Sequence, residues 1–142
     1  MTLYLDASSL VKLYVVEPAS DDVRQSLAPA EVAATSQVTY AEARAAFARR
    51  YRQRTLTSQE FRRVKHDFDG DWPLYLRVDV SAAVCKNAGD LAERYRLRGF
   101  DAIHLASFLQ LAREGRDVEF SSFDSRLNRA AASVLRSLKR AR

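Results

Sequence analysis

Apolar positions in this chain fall into short runs and helix-period stripes that alternate along its length. Leu3-Tyr4-Leu5 is a compact apolar run of strand length. A helix is predicted over Ser8–Val16 and must stop before Pro18, because proline disfavours helix at the residue preceding it. Asp21–Leu27 reads as a second short helix and Glu31–Ser36 as a strand. Thr39–Tyr51 reads as a long helix in which Thr39 and Glu42 have the Ser/Thr-x-x-Glu spacing of a capping box. Ser58–Phe68 is amphipathic, with Phe61, Val64 and Phe68 on one side. Leu76, Val78 and Val80 alternate within a strand predicted over Leu74–Val80. Helices follow over Ser81–Arg96 and Phe100–Arg113. The latter is apolar through Ile103, Leu105, Ala106, Leu109 and Leu111. Val118–Ser121 is a short strand and Ser125–Arg140 a closing helix. Strands that alternate with helices predict an α/β protein: a three-layer α/β/α sandwich around a mainly parallel sheet, as one domain over 1–142.

Charge changes the picture more than composition does. The chain carries a formal net charge of +5, and 19 of its 23 basic residues are Arg. Arg suits bidentate phosphate contacts and stacking on bases, although a basic surface alone is equally a solvated one. Cys85 is the single cysteine, which excludes an intrachain disulfide and a cysteine-based zinc set. Its Ala-Ala-Val-Cys-Lys context reads as a buried small hydrophobe. No apolar run approaches the roughly 20 residues of a membrane span. No basic segment precedes an apolar core at the N-terminus, so a reducing cytoplasm is the expected compartment.

Against this basic background, acids stand at element boundaries. Asp6 follows the first strand directly, where an open α/β sheet binds ligands. Glu42 lies early in a helix, Asp101 starts another, and Asp124 follows the strand at Val118–Ser121. Each is also an ordinary helix-capping or dipole-facing residue. Together they can face one cleft, and crowded carboxylates repel unless a cation lies between them. Hard divalent cations prefer such oxygens, and they stabilise charge in phosphodiester hydrolysis.

Other candidates carry less. Ser8 and Ser9 can bond a phosphate or a metal-bound water, or cap a helix. His104 lies one turn from Asp101 and reads first as a core or surface residue, with support of the acids as the alternative. Asp67, Asp69 and Asp71 lack the order of ligands and the closing Glu of a calcium loop, and read as a solvated loop. Arg49, Arg50, Arg52 and Arg54, with Tyr51 among them, form a basic stretch that can track a nucleic-acid backbone.

Four segments, in order, resemble the PIN-domain nucleases, most closely the VapC-type toxins of prokaryotic toxin–antitoxin systems. They are Leu3-Tyr4-Leu5-Asp6-Ala7-Ser8-Ser9-Leu10-Val11-Lys12-Leu13-Tyr14, Thr39-Tyr40-Ala41-Glu42-Ala43-Arg44, Arg98-Gly99-Phe100-Asp101-Ala102-Ile103-His104-Leu105-Ala106 and Ser122-Phe123-Asp124-Ser125-Arg126-Leu127. The resemblance implies an endoribonuclease dependent on Mg²⁺, with Mn²⁺ as a substitute. Asp6, Glu42, Asp101 and Asp124 are its implied catalytic and metal-binding quartet, and Ser8 its small hydroxyl residue. A metal-bound water is the expected nucleophile, since no Ser, Cys or His nucleophile–base pair is apparent. It further implies an RNA substrate, an antitoxin partner and a homodimer. Leu10, Leu13 and Tyr14 are the expected docking points for that partner, or else they pack in the core or at a homodimer contact. One departure from the family stands out: the tail Ala130–Arg142 stays helical where members usually add a final strand. Two alternatives remain. One is a phosphotransfer or receiver-type α/β protein, which Ser8 disfavours because a phosphatase of that kind needs a second Asp there. The other is a non-catalytic PIN-like module that binds RNA or protein.

Overall fold

The computed structural model describes residues 1–142. Its sheet has four strands, β1 (Thr2–Leu5), β2 (Val32–Ser36), β3 (Leu76–Val78) and β4 (Val118–Ser121), in the order β3-β2-β1-β4. Every pairing is parallel, with Tyr4 level with Ala34 on one side and with Phe120 on the other. β1 is buried on both faces, which explains its unbroken apolar run. Tyr4 and Ala34 point into one core, Leu3 and Leu5 into the other. The first core lies under helices α5 (Ala82–Tyr95), α6 (Gly99–Arg113) and α7 (Ser125–Arg140). The second lies under α1 (Ala7–Val11), α2 (Ser20–Leu27), α3 (Val38–Arg52) and α4 (Ser58–Asp71). The architecture is thus the expected three-layer sandwich, with an all-parallel sheet. The chain steps outward from β1 to β2 and β3, then returns to place β4 on the far side of β1. That reversal makes the β1/β4 junction the switch point, where α/β sheets open a cleft at their strand ends.

Several local expectations are corrected. The first helix is short: α1 ends at Val11, and Lys12–Tyr14 form turns before Pro18 is reached. Thr39 does not cap α3. It lies inside the helix, fully buried, with its hydroxyl paired to that of Thr35 at 2.7 Å, while Thr35 donates to the Leu5 carbonyl. The capping box belongs to α4, where Thr57 and Glu60 exchange bonds. Asp67, Asp69 and Asp71 lie in the last turns of α4 rather than in a loop. Asp69 accepts from the Tyr40 hydroxyl and Asp71 from the Tyr14 hydroxyl, so aromatic packing carries the helix past its apolar stripe. Leu74 falls in a 3₁₀ turn and Val80 outside the strand, leaving β3 only three residues long. Cys85 is exposed, because α5 buries Val84, Ala88 and Leu91 and turns the neighbouring position to solvent. The C-terminal segment is helical to Arg140 and adds no strand. No helix is long and apolar enough to cross a membrane.

Candidate active site

Asp6 leaves β1 at the centre of the sheet, its amide bonded to the Ser121 carbonyl of β4. It caps α1: Oδ1 accepts from the Ser9 amide at 3.0 Å and from the Ser8 hydroxyl at 2.6 Å. Ser8 in turn accepts from the Phe123 amide at 3.1 Å, which ties the loop after β4 to the end of β1. Asp124 follows on that loop and caps α7, its Oδ1 accepting from the amides of Arg126 and Leu127. Each aspartate therefore commits one oxygen to a helix N-terminus, whose dipole favours the negative charge.

Asp101 enters from the other direction, in the first turn of α6. Its carboxyl is pushed above the usual range, first by partial burial, then by the negative charges of Asp124 and Asp6; Arg98 and His104 pull the other way. The perturbation itself reports that Asp6, Asp101 and Asp124 share one electrostatic environment. Arg98 Nε stands 3.6 Å from the Asp101 carboxylate, with its side chain almost fully exposed.

Glu42 is the fourth acid, and the structure removes its capping role. It projects from the second turn of α3, and Oε1 lies 2.7 Å from His104 Nε2. His104 is buried, and its Nδ1 lies 2.8 Å from the Tyr4 hydroxyl. Burial holds the Tyr4 phenol well above its ordinary pKa; a Ser107 hydrogen bond opposes this, and the charges of Asp6 and Glu42 add to it. Tyr4 thus stays protonated and can donate to Nδ1; in the tautomer that accepts there, His104 Nε2 donates to Glu42. The order Tyr4→His104→Glu42 runs from the centre of the sheet to the rim of the cleft. The sequence pointed first to an ordinary core histidine; its only signal for this role was the one-turn spacing from Asp101.

These oxygens are the hard donors a divalent cation takes, and their mutual repulsion is the kind a cation relieves. As they stand, no three of these acid or histidine side chains close into a single ligand set. Glu42 is engaged by His104. The donor chemistry of Asp6, Glu42, Asp101 and Asp124 is that of a hard divalent cation, and Glu42 and Asp101 line one groove.

The basic stretch divides. Arg49, Arg50 and Arg52 all line an open groove that begins at Glu42 and passes Ala45 and Ala46, one face of α3. Within it Arg50 pairs with Glu17, which also binds Lys12 at 2.8 Å. Burial alone would raise the Glu17 carboxyl; its bonds to Lys12 and Arg50 and their charges outweigh that and lower it. Arg50 lines the groove with its charge already shared with Glu17. Arg54 sits exposed in a left-handed turn after α3, with φ of 60°. Leu10, Leu13 and Tyr14 are not an open docking face. Leu10 is fully buried, Leu13 packs on the α1/α3/α4 core, and Tyr14 packs edge-on against Phe47 and Phe68.

Known proteins resemble this chain over most of its length. The PIN domain model matches residues 3–133. Ribonuclease VapC45 and Ribonuclease VapC49, from two strains of Mycobacterium tuberculosis, are each 36% identical over 129 residues, 91% of this chain and 88% of theirs. The fold resembles FitAcB from Neisseria gonorrhoeae at a TM-score of 0.65 and 18% identity, over 92% of this chain and 93% of that one. It also resembles VapBC2 from Rickettsia felis, solved bound to a DNA fragment from their promoter, at 0.55 and 12%, over 86% of this chain and 100% of that one. With a four-stranded parallel sheet, acids gathered at its switch point and a family match from the first strand into the last helix, the chain belongs to the PIN-domain family.

Proposed function

We propose that this chain is a divalent-metal-dependent endoribonuclease and the toxin of a toxin–antitoxin pair. One observation carries the reading: Asp6 ends β1 and Asp124 follows β4 at the switch point of a parallel sheet, tied together by Ser8, which bonds both Asp6 and the Phe123 amide, in a chain of net charge +5. Relatives named as ribonucleases cover nearly its full length. Asp6, Asp101 and Asp124 would hold the cation, Mg²⁺ or in its place Mn²⁺. Glu42 would complete the set directly or through a water. When bound, the cation neutralises charge on the phosphodiester and acidifies a water.

The chain's own groups do the rest. The helix amides that bind Asp6 and Asp124 fix those carboxylates before RNA arrives, so little reorganisation is needed. His104 fixes Glu42 at Oε1, leaving Oε2 as the acceptor for a proton. No side chain of the cleft is an activated nucleophile. Ser8 is spent on Asp6, His104 is buried, and Cys85 lies on α5. Attack by water is the remaining route. Arg49 and Arg52 would hold RNA phosphates along the groove leading away from Glu42, with Arg54 at its end. Arg50 serves Glu17.

An antitoxin segment would occupy that same groove. Val16 is 86% exposed at its wall, opposite Ala45 and Ala46. An apolar helix face meeting Val16, with an Arg or Lys reaching Asp6, Asp101 or Asp124, would block RNA and metal together. The homodimer implied by the family is read by sedimentation equilibrium. The decisive test of function is incubation of the purified chain, without partner, with total RNA in Mg²⁺ and in EDTA. Cleavage in Mg²⁺ that EDTA abolishes is expected; identical RNA profiles in both would overturn the proposal.

A further inference from the structure

Two phenylalanines stand outside the packing that absorbs the others. Phe47, Phe61, Phe68, Phe108 and Phe120 each pack against another aromatic ring within 6.3 Å. Phe100 and Phe123 have no such partner, and they are 57% and 46% exposed. Each immediately precedes an acid of the site, Asp101 or Asp124. Phe100 shares a groove with Asp101, Glu42 and Arg98. The backbone amide of Phe123 is bonded to Ser8, which is bonded to Asp6. The two rings are therefore anchored by the same short segments that position the acids. Exposed aromatic surface here has no structural return, since neither ring completes a core.

We infer that Phe100 and Phe123 are nucleobase-stacking platforms for the nucleotides flanking the scissile phosphate, with Arg98 as the phosphate contact between ring and acid. This rests on the ribonuclease reading and deepens it by assigning where the bases go. Single-stranded RNA binds proteins by stacking successive bases on aromatic side chains while cations track the backbone. The pieces are adjacent here. Arg98 presents a side chain that is 90% exposed, two residues before Phe100. Lys12 Nζ, paired with Glu17, lies over the Phe123 ring at 4.6 Å from its centroid, so it braces the second platform while Arg98 is the exposed cation available to a phosphate. Carboxylates alone repel RNA, so a substrate drawn to the acids needs attraction of this kind at their edges. A stack accepts any base, which gives weak sequence preference by itself and a strong preference for unpaired nucleotides.

The test uses a single-stranded oligoribonucleotide with 2-aminopurine at successive positions, bound to the full chain carrying Asp101→Asn. Stacking quenches the fluorescence. The expected result is quenching at the positions flanking one phosphate, lost there on Phe100→Ala or Phe123→Ala. Affinity should fall about 5- to 100-fold for each ring, and Phe→Trp should preserve both quenching and affinity. Both residues are exposed, so unchanged thermal unfolding is expected and separates lost binding from lost folding. Unchanged quenching and affinity in the Phe100→Ala, Phe123→Ala double variant would overturn the inference. So would loss of binding that Trp fails to preserve. If the Asp101-intact chain leaves RNA uncut while the quenching pattern holds, the ribonuclease reading fails and the stacking platforms stand. If it cuts RNA equally well with both rings truncated, the platforms fail alone.

Discussion

Replacing His104 by Ala probes the link between core and cleft. The perturbation removes the hydrogen-bond partner of Tyr4 and that of Glu42 at once. Tyr4 is 0% exposed, so its orphaned hydroxyl costs about 1–3 kcal/mol. The void left by an imidazole that is 1% exposed adds about 1–2 kcal/mol. Glu42 is partly exposed and rehydrates, so its loss adds under about 1 kcal/mol. The expected total is about 2–6 kcal/mol, read by urea unfolding followed by circular dichroism at pH 7. Tyr4→Phe combined with His104→Leu should recover part of this, because two matched apolar groups leave no orphan. The coupling between Tyr4→Phe and His104→Leu should be at least about 1 kcal/mol. RNA cleavage should also fall with His104→Ala, through Glu42 losing its clamp, and His104→Gln should recover some by supplying an amide donor. A His104→Ala protein within about 1 kcal/mol of the parent would refute the described network.

Asp101→Asn should lower cleavage on the order of 10²-fold or more, measured on a fluorogenic RNA. It should also stabilise the metal-free fold. The Asp101 carboxyl is raised in the folded state, so the unfolded chain releases its proton first. Stability is therefore lost as pH rises from the unfolded value, about 4, through the folded one, and the Asn variant escapes that loss. Its advantage should be present at pH 7 and vanish below about pH 4; a melting temperature no higher than the parent's at pH 7 would contradict the crowding of charge. Arg49→Ala with Arg52→Ala should flatten the salt dependence of RNA binding by about one unit for each lost phosphate contact. Filter binding across salt concentrations reads this, and an unchanged slope returns both residues to the solvated surface. Glu17→Gln should cost about 1–2 kcal/mol, because Lys12 and Arg50 lose their shared partner. Because the Glu17 carboxyl is lowered in the fold, that cost should be full at neutral pH and disappear as the parent is acidified through its folded pKa, as denaturation series at both pH values will reveal.

Periodicity alone determined the α/β class and the order of its elements. Side-chain patterns of period two and near four are imposed by backbone geometry wherever one face must be buried. The run Leu3-Tyr4-Leu5 ending in Asp6 already located a strand end, and four short motifs in register marked the acids. Sequence spacing could not say which neighbours would compete for a side chain. Thr39 and Glu42 had capping-box spacing, yet helix α3 began one residue before Thr39, and a buried threonine from β2 claimed its hydroxyl. That freed Glu42 for His104, a partner 62 residues away. Asp69 and Asp71 looked like loop residues until Tyr40 and Tyr14, from α3 and from the segment after α1, reached them and held α4 together. Arg50 looked like its neighbours until Glu17 was folded against it. In each case a hydrogen bond or ion pair supplied by a neighbouring element outweighed a local preference worth about 1 kcal/mol, buried at Thr39 and exposed at Asp69 and Asp71. The sequence determined which residues could do chemistry; only the packing of α3 and α6 across the sheet decided which of them were left available to do it.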